Sequence, residues 1–259
     1  MTSVLVPIRF DAPLVNPAPG GLYAATVWSD SGEGDPLRWL PSGVEVRPHN
    51  YGGEDAFGVW AAAWNAAEAD LTEDDVKTGV RPLIPDPFVG MTVWASDEGK
   101  FHCEDPVVAR VRAEQNLRLL EPVAVEAQFA ARLLADAPSP AAAADLVDAL
   151  GLLESAFATT NTLGFIHASP KWLPRACAAQ LIVRSGVALK TPGGHSWIFG
   201  GGYVAGLGDT LVATSQPFGW RGPVAVKDAA RLEHNKFAAV AERSVLVGYE
   251  ALVGAAAIS

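Results

Sequence analysis

The chain has 259 residues, of which 49% are hydrophobic and 19% charged, so its composition allows a sizeable core and excludes wholesale disorder. Its length fits one elaborated domain better than several independent ones. The net charge is −10 and the 19 lysines and arginines are scattered singly, which argues against a surface built for nucleic-acid backbones. Cys103 and Cys177 lie far apart without a CxxC spacing, so we expect two buried thiols rather than a disulfide framework or a zinc knuckle.

Nothing in the sequence predicts contact with a membrane. No stretch approaches the roughly 18 apolar residues that a membrane span needs. The opening residues, MTSVLVPIRFDAPLV, lack the charged region and long apolar run of a signal peptide. We therefore expect a protein that is made in the cytoplasm.

Residues 1–36 predict an extended arm, because prolines and glycines interrupt short apolar pieces and exclude a helix. Residues 37–84 carry PSG and YGG turn signals around the alternating VEVRP, which indicates a loop excursion. Large aromatics in a region with so little core of its own are expected to contact a partner, and residues 1–60 to be marginally stable alone. The alternative is a sandwich-type core for the N-terminal third. The tryptophans concerned are Trp28, Trp39, Trp60, Trp64 and Trp94.

A long helix is the strongest local signal. Asp105 is a suitable N-cap and Pro106 suits the first helical position, where a missing N–H is tolerated. Apolar residues then recur mostly at steps of three and four, which predicts one buried face of a helix over 106–135. Pro122 should kink this helix or make it restart after Glu121.

A smaller helical region follows, and then the pattern changes to period 2. Leu146, Leu150, Leu153 and Phe157 share one side of a second predicted helix. A strand over 163–168 and a third helix, opened by the Ser-Pro pair at 169–170, come next. Later strands are predicted over 181–189, 195–206, 210–215, 223–227 and 236–258. The fold class is therefore α+β.

One candidate nucleophile can be drawn from the sequence. The run Gly-His-Ser-Trp-Ile around Ser196 is closest to the G-x-S-x-G elbow, but it ends in a β-branched residue where the strained turn needs a small one. A turn serine is the favoured interpretation of Ser196. A serine hydrolase that combines Ser196 with His234 and Asp209 stays as an alternative.

Two further patterns are weaker. The triple glycine at 200–202 fits a dinucleotide fingerprint formally, but strand-like residues follow it and no acidic residue lies about 20 positions on, which favours a glycine bulge or loop tip. The cluster at 102–105 holds potential metal ligands on adjacent residues, which point to opposite sides of an extended chain. We assign no catalytic, cofactor-binding or metal-binding residue, and no cofactor.

The order of elements resembles the Hong Kong 97-type fold of tailed-bacteriophage major capsid proteins, which encapsulins share. The similarity lies in three places. The first is DPFVGMTVW together with CEDPVVARVRAEQNLRLLEPVAVEAQFAARLL, with Glu126 and Phe129 near the end of the helix. The others are LVDALGLLESAF together with LGFIHASPKWLPRAC, and an Ala-Glu-Arg step at 241–243. It covers about 85 to 259. The resemblance implies an N-terminal arm (1–36), an extended loop region (37–84), a peripheral domain (85–137 and 217–259) with a spine helix (106–135), and an axial domain (138–216).

The resemblance also implies a function. A structural virion protein is expected, a major capsid subunit that self-assembles through hexamers and pentamers into an icosahedral shell around the phage genome. Its partners would be copies of itself, a portal and a separate scaffold or decoration protein, with packaged DNA enclosed but not bound sequence-specifically, and no membrane. An arm in place of the N-terminal helix typical of encapsulins favours a capsid over the alternative of an encapsulin-like compartment shell.

Overall fold

The computed structural model describes residues 8, 10–32, 37–73, 75–102 and 105–259. The α-helices are α1 (Leu22–Ala25), α2 (Trp39–Ser42), α3 (Pro106–Asp136), α4 (Leu146–Thr160), α5 (Leu173–Ala178) and α6 (Tyr203–Gly206). The first strands are β1 (Val27–Asp30), β2 (Met91–Lys100), β3 (Ala141–Ala143), β4 (Phe165–Ala168), β5 (Val183–Ser185) and β6 (Ala188–Lys190). The others are β7 (Ser196–Phe199), β8 (Thr210–Thr214), β9 (Pro217–Arg221), β10 (Ala225–Arg231), β11 (Lys236–Tyr249) and β12 (Leu252–Ile258). Within the described residues, no helix combines the length and hydropathy that crossing a membrane requires.

The long helix confirms the prediction over 106–135. The Asp105 carboxylate accepts a hydrogen bond from the Val107 amide at 2.9 Å, and Pro106 occupies the first helical position. At 1.5 Å per residue, α3 is about 46 Å long. The predicted restart after Glu121 is wrong, because α3 continues through Pro122 without interruption.

One sheet has five strands and packs against the N-terminal half of α3. Strand β11 lies at its centre and is antiparallel to β2 on one edge. On the other edge its first half pairs with β10 and its last residues pair with β9, both antiparallel. Strand β1 is parallel to β9. Small side chains let the helix approach the sheet closely. The buried contact joins Ala109, Ala113 and Leu117 of α3 to Phe237, Ala239 and Ala241 of β11.

The second sheet has seven strands in the order β3-β12-β8-β4-β7-β6-β5, and α4 packs on one face. The Asp145 carboxylate caps α4 by accepting hydrogen bonds from the amides of Val147 and Asp148. All four apolar positions predicted for this helix are buried, at 4% exposure or less. The helix prediction is thereby confirmed, including the side that faces the core.

The two sheets meet at a third cluster, which joins the C-terminal half of α3 to both. Phe129 and Leu133 pack there with Tyr203 of α6 and with residues of β7, β8 and β11, among them Leu246. Because β12 follows β11 directly in the chain but pairs with β3 and β8, the chain end belongs to the seven-stranded sheet. Leu252–Ile258 therefore pairs with strands of 138–216, although the sequence groups it with 85–137.

Several local predictions differ from the structure. Strand β9 was not predicted, and the strand expected over 195–206 ends at Phe199, where a glycine turn and α6 follow. The Ser169 hydroxyl is buried but makes no capping hydrogen bond, and a 3-10 turn, Pro170–Trp172, precedes α5. The thiol of Cys177 is exposed rather than buried, while Cys103 lies outside the described residues.

Candidate assembly surfaces

The arm is fastened to the protein at α1 by a buried carboxylate of α3. Glu126 is 2% exposed and accepts hydrogen bonds from the Leu22 amide at 2.9 Å and the Gly202 amide at 3.0 Å. Burial raises the pKa of Glu126, although these amides and that of Gly201 oppose the shift. The side chain of Leu22 is itself fully buried. One carboxylate therefore holds two segments that are distant in the sequence.

The triple glycine is the other half of this attachment. A Cβ on Gly200 would lie 2.6 Å from the Glu126 carboxyl carbon, and one on Gly202 would lie 2.6 Å from the Glu126 Cβ. A Cβ on Gly21, where φ is +79°, would overlap the same carboxylate. The glycines thus form a cradle for a side chain of this protein. The expectation of a bulge or loop tip missed this role, because the sequence does not show which helix faces the turn.

Beyond α1 the arm follows α3 toward the N-terminal end of that helix. The Tyr23 hydroxyl donates to Glu121 at 2.8 Å, and burial beside this carboxylate raises the pKa of Tyr23. One turn before Glu121, Arg118 donates to the Asn16 side chain, and nearly one turn before that Gln115 donates to the Val15 carbonyl at 2.7 Å. Before this point the arm exposes large apolar side chains: Ile8, Phe10, Leu14 and Val15. The remaining arm residues, 1–7, 9 and 33–36, lie outside the described part.

The loop is anchored firmly at its base. Val44 and Phe88 exchange two backbone hydrogen bonds of 2.9 Å and close it. The Arg132 guanidinium donates to the carbonyls at positions 86 and 87, at 2.7 and 3.1 Å, and stacks over the Phe88 ring. Glu250 accepts the amides of His49 and Asn50. Burial alone would raise the pKa of Glu250, but these hydrogen bonds outweigh it and leave the pKa lowered.

The loop tip, defined here as residues 57–78, lacks such anchoring in its described part. Phe57, Val59 and Trp64 are 82%, 89% and 95% exposed, respectively. The acidic residues of the tip are Glu68, Asp70, Glu73, Asp74 and Asp75, against a single cation, Lys77, whose ammonium lies 4.4 Å from the Trp60 ring centroid. Clustered exposed aromatics on a monomer mark an interaction surface.

A groove of about 700 Å³ lies between the two legs of the loop and the end of α4. Prolines and aliphatic residues of the loop form one wall, and Ala156 with Leu252 and Val253 forms the other.

The five early tryptophans divide between core and surface. Trp39 is buried in the cluster at the sheet junction, whereas Trp64 and Trp94 are largely exposed.

The structure does not assemble the alternative hydrolase triad. Ser196 opens β7 in the seven-stranded sheet, whereas His234 lies in the turn between β10 and β11 of the other sheet. Asp209 forms an ion pair with Lys171 at 2.6 Å instead of meeting a histidine. His102 contacts the Asn235 side chain at 2.6 Å, and Cys103 and Glu104 lie outside the described residues. Among described residues, no three potential metal ligands gather.

Comparison with known proteins depends on structure, since no protein-family model and no curated sequence matches the chain. The capsid of a native GTA particle aligns with 99% of this chain and 95% of its own, with a TM-score of 0.55 and 10% identity. The mature capsid of bacteriophage PhiM1 aligns with 100% of this chain and 91% of its own, with a TM-score of 0.51 and 9% identity. A structure from Microbacterium phage Oxtober96 covers 100% and 96%, with a TM-score of 0.51 and 12% identity.

The chain has the Hong Kong 97-type fold. In this fold α3 is the spine helix, and the predicted α+β class with an N-terminal arm and an extended loop is confirmed. The arm and the loop tip expose apolar side chains, whereas α1 and the base of the loop are attached to the core.

Proposed function

We propose that this chain is a structural virion protein, the major capsid subunit of a tailed bacteriophage. Copies of it would form hexamers and pentamers and close into an icosahedral shell around the phage genome. The observation that carries the proposal is full-length similarity to capsid structures, 98% or more of this chain in each of three matches. The role proposed is structural, without catalysis or a cofactor, and the protein would reside in the virion after synthesis in the host cytoplasm.

The distribution of apolar surface supports self-association. A closed shell needs different surfaces of one subunit to meet in repeated, rotationally closed contacts. Many weak contacts spread over arms and loops stabilise such an assembly, although each is weak alone. The loop tip and residues 8 and 10–15 of the arm offer that kind of surface, because large apolar side chains such as Phe10 and Trp64 are exposed there in the single subunit.

The division into domains follows the sheets. We assign 1–36 to the arm and 37–84 to the extended loop region. The peripheral domain then holds 85–137, with the spine helix, and 217–251. The axial domain holds 138–216 together with the returning strand Leu252–Ile258.

Other partners follow from the proposed role. A shell filled with DNA requires a portal, and assembly would use a separate scaffold or decoration protein. The enclosed DNA would contact the wall without sequence-specific binding, which agrees with a net charge of −10 and scattered cations.

The contents of the particle test this proposal. Particles that contain the chain should be isolated from producing cells, treated with nuclease, opened, and assayed for nuclease-protected DNA and for co-purifying proteins by mass spectrometry. The capsid proposal expects protected double-stranded DNA and a low-copy portal protein. Particles filled with a single cargo enzyme and no DNA would favour an encapsulin-like compartment and refute the virion role.

A further inference from the structure

His167 occupies the centre of the molecule and makes two hydrogen bonds. It lies on β4, is fully buried, and places Nδ1 2.9 Å from the Tyr203 hydroxyl and Nε2 2.8 Å from the Thr214 hydroxyl. The Thr214 hydroxyl donates its one proton to the Ser215 carbonyl at 2.9 Å. Nε2 must therefore donate to Thr214, and in the neutral imidazole Nδ1 accepts from Tyr203.

The surroundings of His167 offer little to compensate a positive charge. The Phe129 ring of α3 lies 5.5 Å from the imidazole, and the paired residues on β7 and β8 are Ile198 and Val212. The titratable group that faces the ring is Tyr203 on α6, and Glu126 on α3 acts electrostatically on Tyr203. Burial lowers the pKa of His167 to about 3.

Two paths leave this histidine, each made of hydrogen bonds and of covalent links between the bonded groups. One passes through Tyr203 to the neighbouring Gly202, whose amide is held by Glu126, which also holds the arm at Leu22.

The other path passes through Thr214 to Ser215, whose hydroxyl accepts a hydrogen bond from the Glu250 amide at 2.9 Å. The Glu250 carboxylate in turn holds the base of the loop at His49 and Asn50. The attachments of the arm and the loop thus converge on one imidazole.

We propose that His167 is an acid-sensitive joint that holds the arm attachment and the loop base together, and that its protonation loosens both. A protonated ring would carry an N–H on both nitrogens, so the Tyr203 hydroxyl would have to turn its own proton away from Nδ1. The positive charge would also lie in a fully buried site beside Phe129, Ile198 and Val212, which opposes the packed state. The proposal goes beyond the shell function and concerns the single subunit, so it can fail while the shell function stands.

The sign and size of the effect follow from proton linkage. Because the packed state lowers the pKa of His167 from its ordinary value near 6.5, protons bind the loosened state more tightly. The stability that depends on neutral His167 is therefore complete above about pH 6.5 and is lost as the pH falls from there toward 3. Between pH 7.5 and 5.0, opening should become about 30-fold more frequent.

Hydrogen exchange of the full chain, corrected for the intrinsic rate at each pH, tests the joint. We expect the amide of Leu22 at the arm and those of His49 and Asn50 at the loop base to lose about 30-fold protection between pH 7.5 and 5.0. His167→Gln can keep one donor and one acceptor but does not titrate, so its protection should not change with pH in either segment. His234→Gln, at the exposed turn, should behave like the parent chain. If His167→Gln fails to fold, His167→Asn serves the same purpose.

Three results would overturn the proposal that His167 joins the two attachments. Unchanged protection in the parent chain would show that acid does not open these attachments. A loss that persists in the His167 variant would assign the acid response to another group. Loss at the arm without loss at the loop base, or the reverse, would show that the two attachments open independently.

Discussion

Replacing Gly202 with alanine should detach the glycine turn from the spine helix. Gly202 has φ −68°, so the backbone conformation itself tolerates alanine. The new methyl group would instead meet helix backbone at Val123 and Ala127, besides the Glu126 Cβ at 2.6 Å. None of these atoms is the free end of a flexible side chain, so the helix and the turn must separate.

The expected loss of stability has two parts. Overpacking of a well-packed contact costs about 1–3 kcal/mol. Separation also breaks the hydrogen bond between the Gly202 amide and Glu126, and leaving such buried groups unpaired costs about 1–3 kcal/mol more. We expect Gly202→Ala to lower the free energy of unfolding by roughly 2–6 kcal/mol.

The matched control is Gly151→Ala in α4. Gly151 is exposed, and no atom lies within 4 Å of the position of an added Cβ. The same chemical change should therefore raise the free energy of unfolding by about 0.5–1 kcal/mol, because alanine loses less backbone entropy in a helix. Urea unfolding of the unassembled chain, followed by tryptophan fluorescence, measures both variants. Equal stabilities of the two variants would refute the described contact between turn and helix, and a destabilised Gly151→Ala would contradict the open surroundings of Gly151 in α4.

The other predictions concern burial, capping and assembly. Leu153→Ala should lower the free energy of unfolding by about 2–5 kcal/mol in the same urea assay. The side chain of Leu152 is 38% exposed, so Leu152→Ala should lower it by clearly less, and similar losses would contradict the assigned face of α4. Asp105→Ala should cost about 1 kcal/mol through loss of the helix cap, whereas Asp105→Asn should nearly preserve stability; equal effects would argue against capping. Trp64→Ser should leave the urea midpoint of the subunit unchanged but reduce particle yield in size-exclusion chromatography; a lowered midpoint would place Trp64 in the core of the subunit.

Strong local signals let the sequence predict the main helices. The Asp-Pro start and the apolar period of α3 both come from neighbouring residues, so its predicted bounds agree with the observed Pro106–Asp136. The buried side of α4 was likewise readable from the spacing of its leucines. The restart considered at Pro122 does not occur, because packing of the helix on both sheets outweighs the local preference for a break.

The missed elements depend on long-range pairing. Strand β9 opens with Pro217 and contains Gly219, which weaken any local strand signal, yet it is held between β1 and β11. The end of the strand at Phe199 is set by Glu126, which lies 73 positions away in the chain and accepts the Gly202 amide. Such a contact leaves no mark on neighbouring residues, so a single sequence does not reveal it.

The candidate surfaces were predicted in kind but not in detail. Proline, glycine and tryptophan content located a region with exposed aromatics, as the loop tip confirms. Leu22 and Trp39 are buried in the core cluster at the sheet junction, so parts of residues 1–60 are anchored, and the expected marginal stability of this region stays a prediction. The sequence does not show which parts of the arm and loop are anchored, because the anchoring residues Glu126, Arg132 and Glu250 lie far along the chain.

Electron microscopy of the purified chain over increasing concentration tests self-assembly most directly. The account predicts uniform closed particles with icosahedral symmetry above a threshold concentration, with subunit density that fits the spine helix and both sheets. A chain that stays monomeric at every concentration, and gains no particles when a candidate scaffold protein is co-expressed, would contradict it.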